Sequence, residues 1–285
     1  MQNNDKKQPI VEIKGVTKSF GDQQVLSDVN LNIYPGEIMV VMGGSGCGKS
    51  TLLRNLVGSI TPDTGTIKLF GKDITEMSQD KLDEARKRFG ILFQSGALFN
   101  SLTVGQNVAL LLQEHTDLDA STIEIMVKIK LELVGLRKHF DKMPSQLSGG
   151  MKKRAGLARA IALDPQILFY DEPSAGLDPV TSAQIDQLII DLTRKLRVTS
   201  VVVTHEMDSA FTIADRMCML DKGRILKVGS RQYFEALRDG DKNTLQTEDE
   251  RLLRQFLRGD AHGPITERNI TSDYEDDLLM ASLKK

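Results

Sequence analysis

Gly43-Gly44-Ser45-Gly46-Cys47-Gly48-Lys49-Ser50 fits the GxxxxGK[ST] spacing of a phosphate-binding loop. Glycine at these positions lets successive backbone N–H groups converge on an anion at a distance that a Cβ would forbid. A helix opening over residues 48–51 adds its partial positive charge at the same point. Lys49 can reach terminal phosphates, the Ser50 hydroxyl is a ligand for Mg2+, and Thr51 can donate to a nearer phosphate. A flexible glycine turn is the bland alternative; the apolar strand pattern before the motif and the helical pattern after it argue against that. Cys47, inside the loop, reads as a small filler in preference to an oxidation-sensitive thiol.

Two further stretches carry chemistry. Ile167-Leu168-Phe169-Tyr170 is an apolar run that ends in Asp171-Glu172. At the end of a buried strand Asp171 is placed to hold Mg2+, directly or through water. Glu172 is then placed to orient or deprotonate an attacking water. In Leu147-Ser148-Gly149-Gly150-Met151, Ser148 is a helix cap, and the glycines leave the helix's first N–H groups open. That makes a second anion cradle in one chain. One nucleotide does not need two cradles, which points to the second facing a nucleotide on another chain; taken alone, the pentapeptide is equally an ordinary capped helix.

The elements that must hold these residues follow from hydrophobic period. Residues 10–42 read as strands with tight turns at Gly21-Asp22 and Pro35-Gly36. Ile38 to Met42 is apolar throughout, as in a strand buried on both faces of a parallel sheet. Leu52, Leu53, Leu56 and Val57 then repeat with helical spacing, 58–75 reads as a turn and short hairpin, 78–88 as a charged helix and 90–93 as a strand. Residues 101–163 show only helical patterns, at 104–113, 122–133 and 150–163. Beyond them come strands at 167–170 and 200–203, helices at 179–196 and 207–214, and short strands at 217–220 and 224–229. Alternating β and α with an inserted helical lobe predicts an α/β fold. Past residue 238 the composition shifts, and 248–258 places Leu252, Leu253, Phe256 and Leu257 on one helical face. We expect that stripe to pack on a neighbouring subunit, with a fraying tail as the alternative.

Composition narrows the class. In 285 residues, 37 Lys and Arg balance 39 Asp and Glu, which removes the charge footprint of a general nucleic-acid binder. Two cysteines make no disulfide framework, and the four histidines show no metal-ligand spacing. The terminus MQNNDKKQPI lacks the apolar segment of a secretory signal, and no apolar run approaches the ~18–20 residues of a membrane helix, so we expect a soluble chain that meets a membrane only through another chain.

Taken in order along residues 10–238, the motifs resemble those of the nucleotide-binding subunits of ABC transporters. The phosphate loop is 43–50, Leu147 to Met151 is similar to the family signature, and 167–172 to its metal-binding strand and base. Ser174-Ala175-Gly176-Leu177-Asp178 resembles the loop that joins two subunits' sites. Gln94 falls at the glutamine that senses Mg2+ and couples to the membrane subunit, and His205 at the switch histidine that contacts the γ-phosphate. Phe20 stands where an adenine-stacking tyrosine is usual, and Met151 where the signature usually has glutamine; stacking survives the first change, whereas any hydrogen bond from the second is lost.

The resemblance implies a P-loop NTPase (RecA-like) core, 1–98 and 164–238, an antiparallel β subdomain, a helical subdomain over 99–163 and a C-terminal extension over 239–285. It implies ATP and Mg2+ as cofactors and a homodimer with two composite sites. Lys49, Ser50, Asp171 and Gln94 hold Mg-ATP on one chain, Ser148, Gly149 and Gly150 of the other close over the γ-phosphate, and Glu172 and His205 act on the water. A narrower resemblance, carried by Phe93 to Phe99, Met151 and Ala158-Arg159-Ala160-Ile161-Ala162, is to the ATPase of Mla-type transporters. That implies a peripheral place on the cytoplasmic face of the inner membrane, and phospholipid moved between inner and outer membranes. It also implies an integral membrane permease, an MCE-domain lipid-binding protein and a STAS-domain subunit as partners, with no nucleic acid. The rival readings are an ABC-type ATPase working on nucleic acid or ribosomes, an ABC ATPase for another substrate, and a small-molecule kinase that leaves the signature-like motif idle.

Overall fold

A computed structural model describes residues 8–241 and 245–267; residues 1–7 and the end of the extension, 268–285, lie outside the described residues. The chain divides into two compact units, 1–228 and 229–285, earlier than the boundary at 238 expected from composition.

The first unit is built on a six-stranded sheet. Its strands are β3 (Ile38–Met42), β6 (Phe89–Leu92), β7 (Ile167–Asp171), β8 (Thr199–Thr204), β9 (Arg216–Asp221) and β10 (Arg224–Ser230), in the order β10-β9-β3-β8-β7-β6. The pairs β3–β8, β3–β9, β7–β8 and β6–β7 are parallel. All five residues of β3 are fully buried, as its unbroken apolar run requires of a strand covered on both faces. A second sheet is antiparallel in the order β2-β1-β4-β5, from β1 (Val11–Phe20), β2 (Gln23–Ile33), β4 (Thr64–Leu69) and β5 (Lys72–Asp73). Its inward residues Val11, Ile13, Leu31 and Ile67 share one core with Leu52 and Leu56 of helix α1 (Lys49–Leu56) and with Val41 and Val201. Phe89 meets Phe169 edge-on, with ring centroids 5.4 Å apart, a contact worth about 1 kcal/mol beyond its burial.

Helix α2 (Gln79–Arg86) precedes β6, and a helical lobe of α3 (Val104–His115), α4 (Ala120–Leu133) and α5 (Gly149–Ala160) follows it. The lobe's ends are fixed by polar side chains. Thr103 and Gln106 form a capping box on α3, and Asp119 caps α4. The fully buried Asn107 pins the approach to α3, accepting from the Phe99 N–H at 2.8 Å and donating to the Phe99, Leu102 and Thr103 carbonyls. The chain then forms α6 (Pro179–Leu196) and α7 (Met207–Ile213), one before and one after β8.

The second unit holds α8 (Arg231–Asp239), α9 (Glu248–Arg258) and the short α10 (Pro264–Glu267). Sequence periodicity gave no warning of α8, whose nine residues bury only Phe234 and Leu237. The stripe on α9 differs from the expectation. Leu252, Leu253 and Leu257 are already buried in this chain and Phe256 is partly covered, so the stripe is not an open face awaiting another subunit. Arg254 donates to the Leu237 carbonyl at 2.9 Å, and buried Gln255 accepts from the Ile265 N–H at 2.7 Å, tying α8, α9 and α10 together.

Candidate nucleotide site

The parallel pairing brings the working residues to one edge. Met42 is level with Thr204, Val203 with Asp171, and Tyr170 with Leu92. The turns that leave β3, β8, β7 and β6 therefore emerge side by side at the carboxyl ends of the strands, where α/β sheets bind ligands. They carry Gly43, His205, Glu172 and Gln94 respectively.

The loop after β3 has its shape forced on it. A Cβ on Gly43 would lie 2.2 Å from the Leu220 carbonyl oxygen and 2.6 Å from Cys47 Sγ, so only glycine fits. Gly48 begins α1 at φ +108°, a left-handed conformation that L side chains rarely adopt. Ser45, Gly46 and Ser50 are exposed, Gly44 and Thr51 half-buried, and Cys47 buried, its thiol pushed above the ordinary range by that burial. Lys49 is only 8% exposed and folds back over the loop, donating to the carbonyls of Gly43 at 2.7 Å and Gly44 at 2.9 Å.

Asp171 and Glu172 divide the work of the β7 edge. Asp171 Oδ1 is buried and has no hydrogen-bond partner. Burial, reinforced by the neighbouring Glu172 charge, pushes its carboxyl above the ordinary value, and Arg54 and Lys49 pull the other way. A buried acceptor left unpaired costs stability unless something positive satisfies it. The oxygen donors Asp171 and Ser50 suit a hard cation such as Mg2+. Glu172 sits at φ +48°, strained for a non-glycine residue. Its N–H donates to the Val203 carbonyl at 2.9 Å, and its Oε2 accepts from the His205 N–H at 3.3 Å and lies 2.9 Å from His205 Nδ1. The glutamate side chain is 12% exposed and the histidine 57%, so the pair faces outward from a supported base.

The other predicted residues stand apart from this cluster. Ser148 caps α5, accepting from the Met151 N–H at 3.3 Å, and Ser148 and Gly149 are exposed. Gly150 is buried, and a Cβ there would lie 2.4 Å from Thr181 Cγ2 on α6. Asp178 caps α6 by accepting from the N–H groups of Val180 at 3.1 Å and Thr181 at 3.0 Å, and the Thr181 bonds hold its carboxyl below the usual range. Among the described residues, the Ser148 and Asp178 side chains bond only to the helices they cap. Gln94 is exposed just beyond β6, and Phe20 is 50% exposed with the Lys18 ammonium 5.7 Å from its ring centroid.

Sequence reasoning gave no role to two basic residues of α5, Lys153 and Arg159. Lys153 is 5% exposed and donates to the carbonyls of Glu172 at 3.0 Å and Ala175 at 2.9 Å. Arg159 donates to the Ala97 carbonyl at 2.8 Å and the Gly96 carbonyl at 3.2 Å, bracing the segment after Gln94. The available signal was helical phase: Lys153 shares a face with Gly156, Leu157 and Ala160, all of them buried.

The family model described as ABC transporter matches residues 26–175. The probable ribonucleotide transport ATP-binding protein mkl of Mycobacterium leprae (strain TN) is 44% identical over 271 residues, 95% of this chain and 74% of its own length. The intermembrane phospholipid transport system ATP-binding protein MlaF of Escherichia coli (strain K12) is 42% identical over 273 residues, 96% of this chain and 97% of its own. The ATP-binding cassette MJ0796, solved as a dimer in a post-hydrolysis state bound to ADP and Pi, superposes with a TM-score of 0.72 at 31% identity, covering 78% of this chain and 98% of that one.

Proposed function

Because the chain belongs to the ABC transporter family, as an ATP-binding and ATP-hydrolysing subunit that uses Mg2+, we propose that it powers phospholipid transport between inner and outer membranes. In this reading it acts as a head-to-tail homodimer with an ATP sandwiched at each of two composite sites. The observation that carries the site assignment is the Glu172–His205 contact, set level with the phosphate loop at the carboxyl edge of the sheet. The near-full-length likeness to the phospholipid-system protein favours the lipid substrate over others.

The roles follow from position. The Gly43–Gly48 backbone and Lys49 bind the phosphates. Ser50, Asp171 and Gln94 would hold Mg2+, whose charge neutralises the phosphate oxygens. Phe20, half exposed, stacks on the adenine. Glu172 takes the proton of the attacking water through a carboxylate oxygen, and His205 fixes that oxygen's direction. Ser148, Gly149 and Gly150 reach the nucleotide of the second chain, and Asp178 joins the two sites. Little covalent work is asked of the protein, so positioning and charge supply most of the rate.

The proposed partners are an integral membrane permease, met through Gln94 and the segment after it, an MCE-domain lipid-binding protein and a STAS-domain subunit. The place is peripheral, on the cytoplasmic face of the inner membrane. No described helix is long and apolar enough to cross a membrane. Nucleic acid is left out because 37 Lys and Arg are balanced by 39 Asp and Glu, and several of the basic side chains are engaged within the chain: Arg86 and Lys87 pair with Asp83 and Glu84, and Lys153 is buried.

Glu172→Gln tests the core of this reading. Steady-state hydrolysis should fall about 10²–10⁴-fold while ATP binding persists and ATP drives the chain into dimers, read by light scattering. Hydrolysis at the parental rate would remove Glu172 as the base, and a strictly monomeric ATP-loaded variant, even with its membrane assembly, would end the two-chain site.

A further inference from the structure

We propose that Lys153 is a positioning residue for the catalytic base: it ties the helix that offers Ser148 outward to the loop that holds Glu172 in the same chain. The proposal rests on the reading of Glu172 as base.

Lys153 is buried, yet among the described residues no carboxylate lies within salt-bridge distance of its ammonium. Its ammonium donates to two backbone carbonyls, those of Glu172 and Ala175, on either side of the turn after β7. A buried cation needs a reason to be retained, since an apolar side chain of the same length would avoid the desolvation cost. That cost is visible in the lowered pKa of the amine. The turn it holds is the one that needs support. Glu172 is strained at φ +48°, and its N–H is fixed by Val203 and its carboxylate by His205, which leaves the carbonyl, shared with the Ala175 N–H at 3.3 Å, as the handle that another helix can reach. Lys153 takes that handle. It sits five residues beyond Ser148, on the same rigid helix. A shift of α5 when Ser148 meets a nucleotide is therefore carried to the base of the chain's own pocket, and also to Ala175, three residues before Asp178. No bond is made or broken by Lys153 itself.

The test uses the full chain with Lys153→Met, Lys153→Gln and Lys153→Arg. The Met variant should lose about tenfold in kcat for ATP with KM within about twofold of the parent, Gln should be intermediate, and Arg, which keeps the charge and the donors, should recover most of the rate. In a Glu172→Gln background, Lys153→Met should leave ATP-driven dimerisation unchanged. Parental kcat in the Met variant overturns the proposal. If Met does not fold, parental kcat in Gln, or loss in Arg equal to that in Gln, overturns it. Loss of dimerisation in the double variant also overturns it, because Lys153 would then serve Ser148 and not Glu172. If the parent fails to hydrolyse ATP, or Glu172→Gln alone fails to dimerise, the underlying reading fails and not this one.

Discussion

The two anion cradles of this chain are built differently. The loop at 43–50 is locked from within: Gly43 against Leu220, Gly48 against Leu26, Lys49 onto two carbonyls, and behind it a strand with no exposed residue. The tip of α5 has a cap and little else, with Ser148 and Gly149 open to solvent and only Gly150 packed, against Thr181. One cradle is closed by contacts within its own chain; the other is left open at its tip. In the proposed two-chain reading, a site divided in this way would turn over only when two chains meet, which would make hydrolysis conditional on assembly.

That contrast can be broken by substitution. Ser148→Arg, which fills the open tip with a bulky cation, should lower hydrolysis about 10²–10³-fold, the range for losing a transition-state donor, while a separate chain binds ATP as before by calorimetry. Equal loss of binding would mean that the two cradles belong to one pocket. Lys49→Ala should weaken ATP binding about 10–100-fold, as expected for one charged hydrogen-bonding group worth about 1.5–3 kcal/mol, and equilibrium binding with a fluorescent analogue reads it. Unchanged affinity would remove the inner cradle.

The smallest effect concerns stability. Asp171 has its folded carboxyl raised above the ordinary 3.8 by burial. Ionising it therefore costs the native state; the cost is absent below that ordinary value and grows to its full size as pH rises past the folded one. Asp171→Asn should raise the melting temperature of the nucleotide-free chain by about 2 °C at pH 7 and leave it unchanged below pH 4, at the expense of Mg2+-dependent ATP binding. A melting temperature that falls at pH 7 would show that the carboxylate is already satisfied.

Much of this was legible in the sequence because burial on both faces leaves an unmistakable apolar run. Ile38 to Met42 and Ile167 to Tyr170 located the two strands whose ends hold the phosphate loop and the acids. What escaped depends on contacts between distant segments. Helix α8 buries only Phe234 and Leu237, too few apolar positions to stand out, and its partner α9 lies beyond a gap in the pattern. Lys153 looks like its basic neighbours until the fold puts two carbonyls over it. The left-handed turn at Glu172 has no signature at all, since glutamate is not a residue that marks such a turn and the bonds that hold it come from Val203 and His205, far away in sequence.

The ammonium of Lys49 rests within the loop it serves. A cation resting on two neutral oxygens of its own backbone needs no counterion from the medium while it waits. An anion entering the loop competes with those two carbonyls for the same donors. A polyphosphate chain, with several ionised oxygens, offers that ammonium stronger acceptors than the two carbonyls on which it rests.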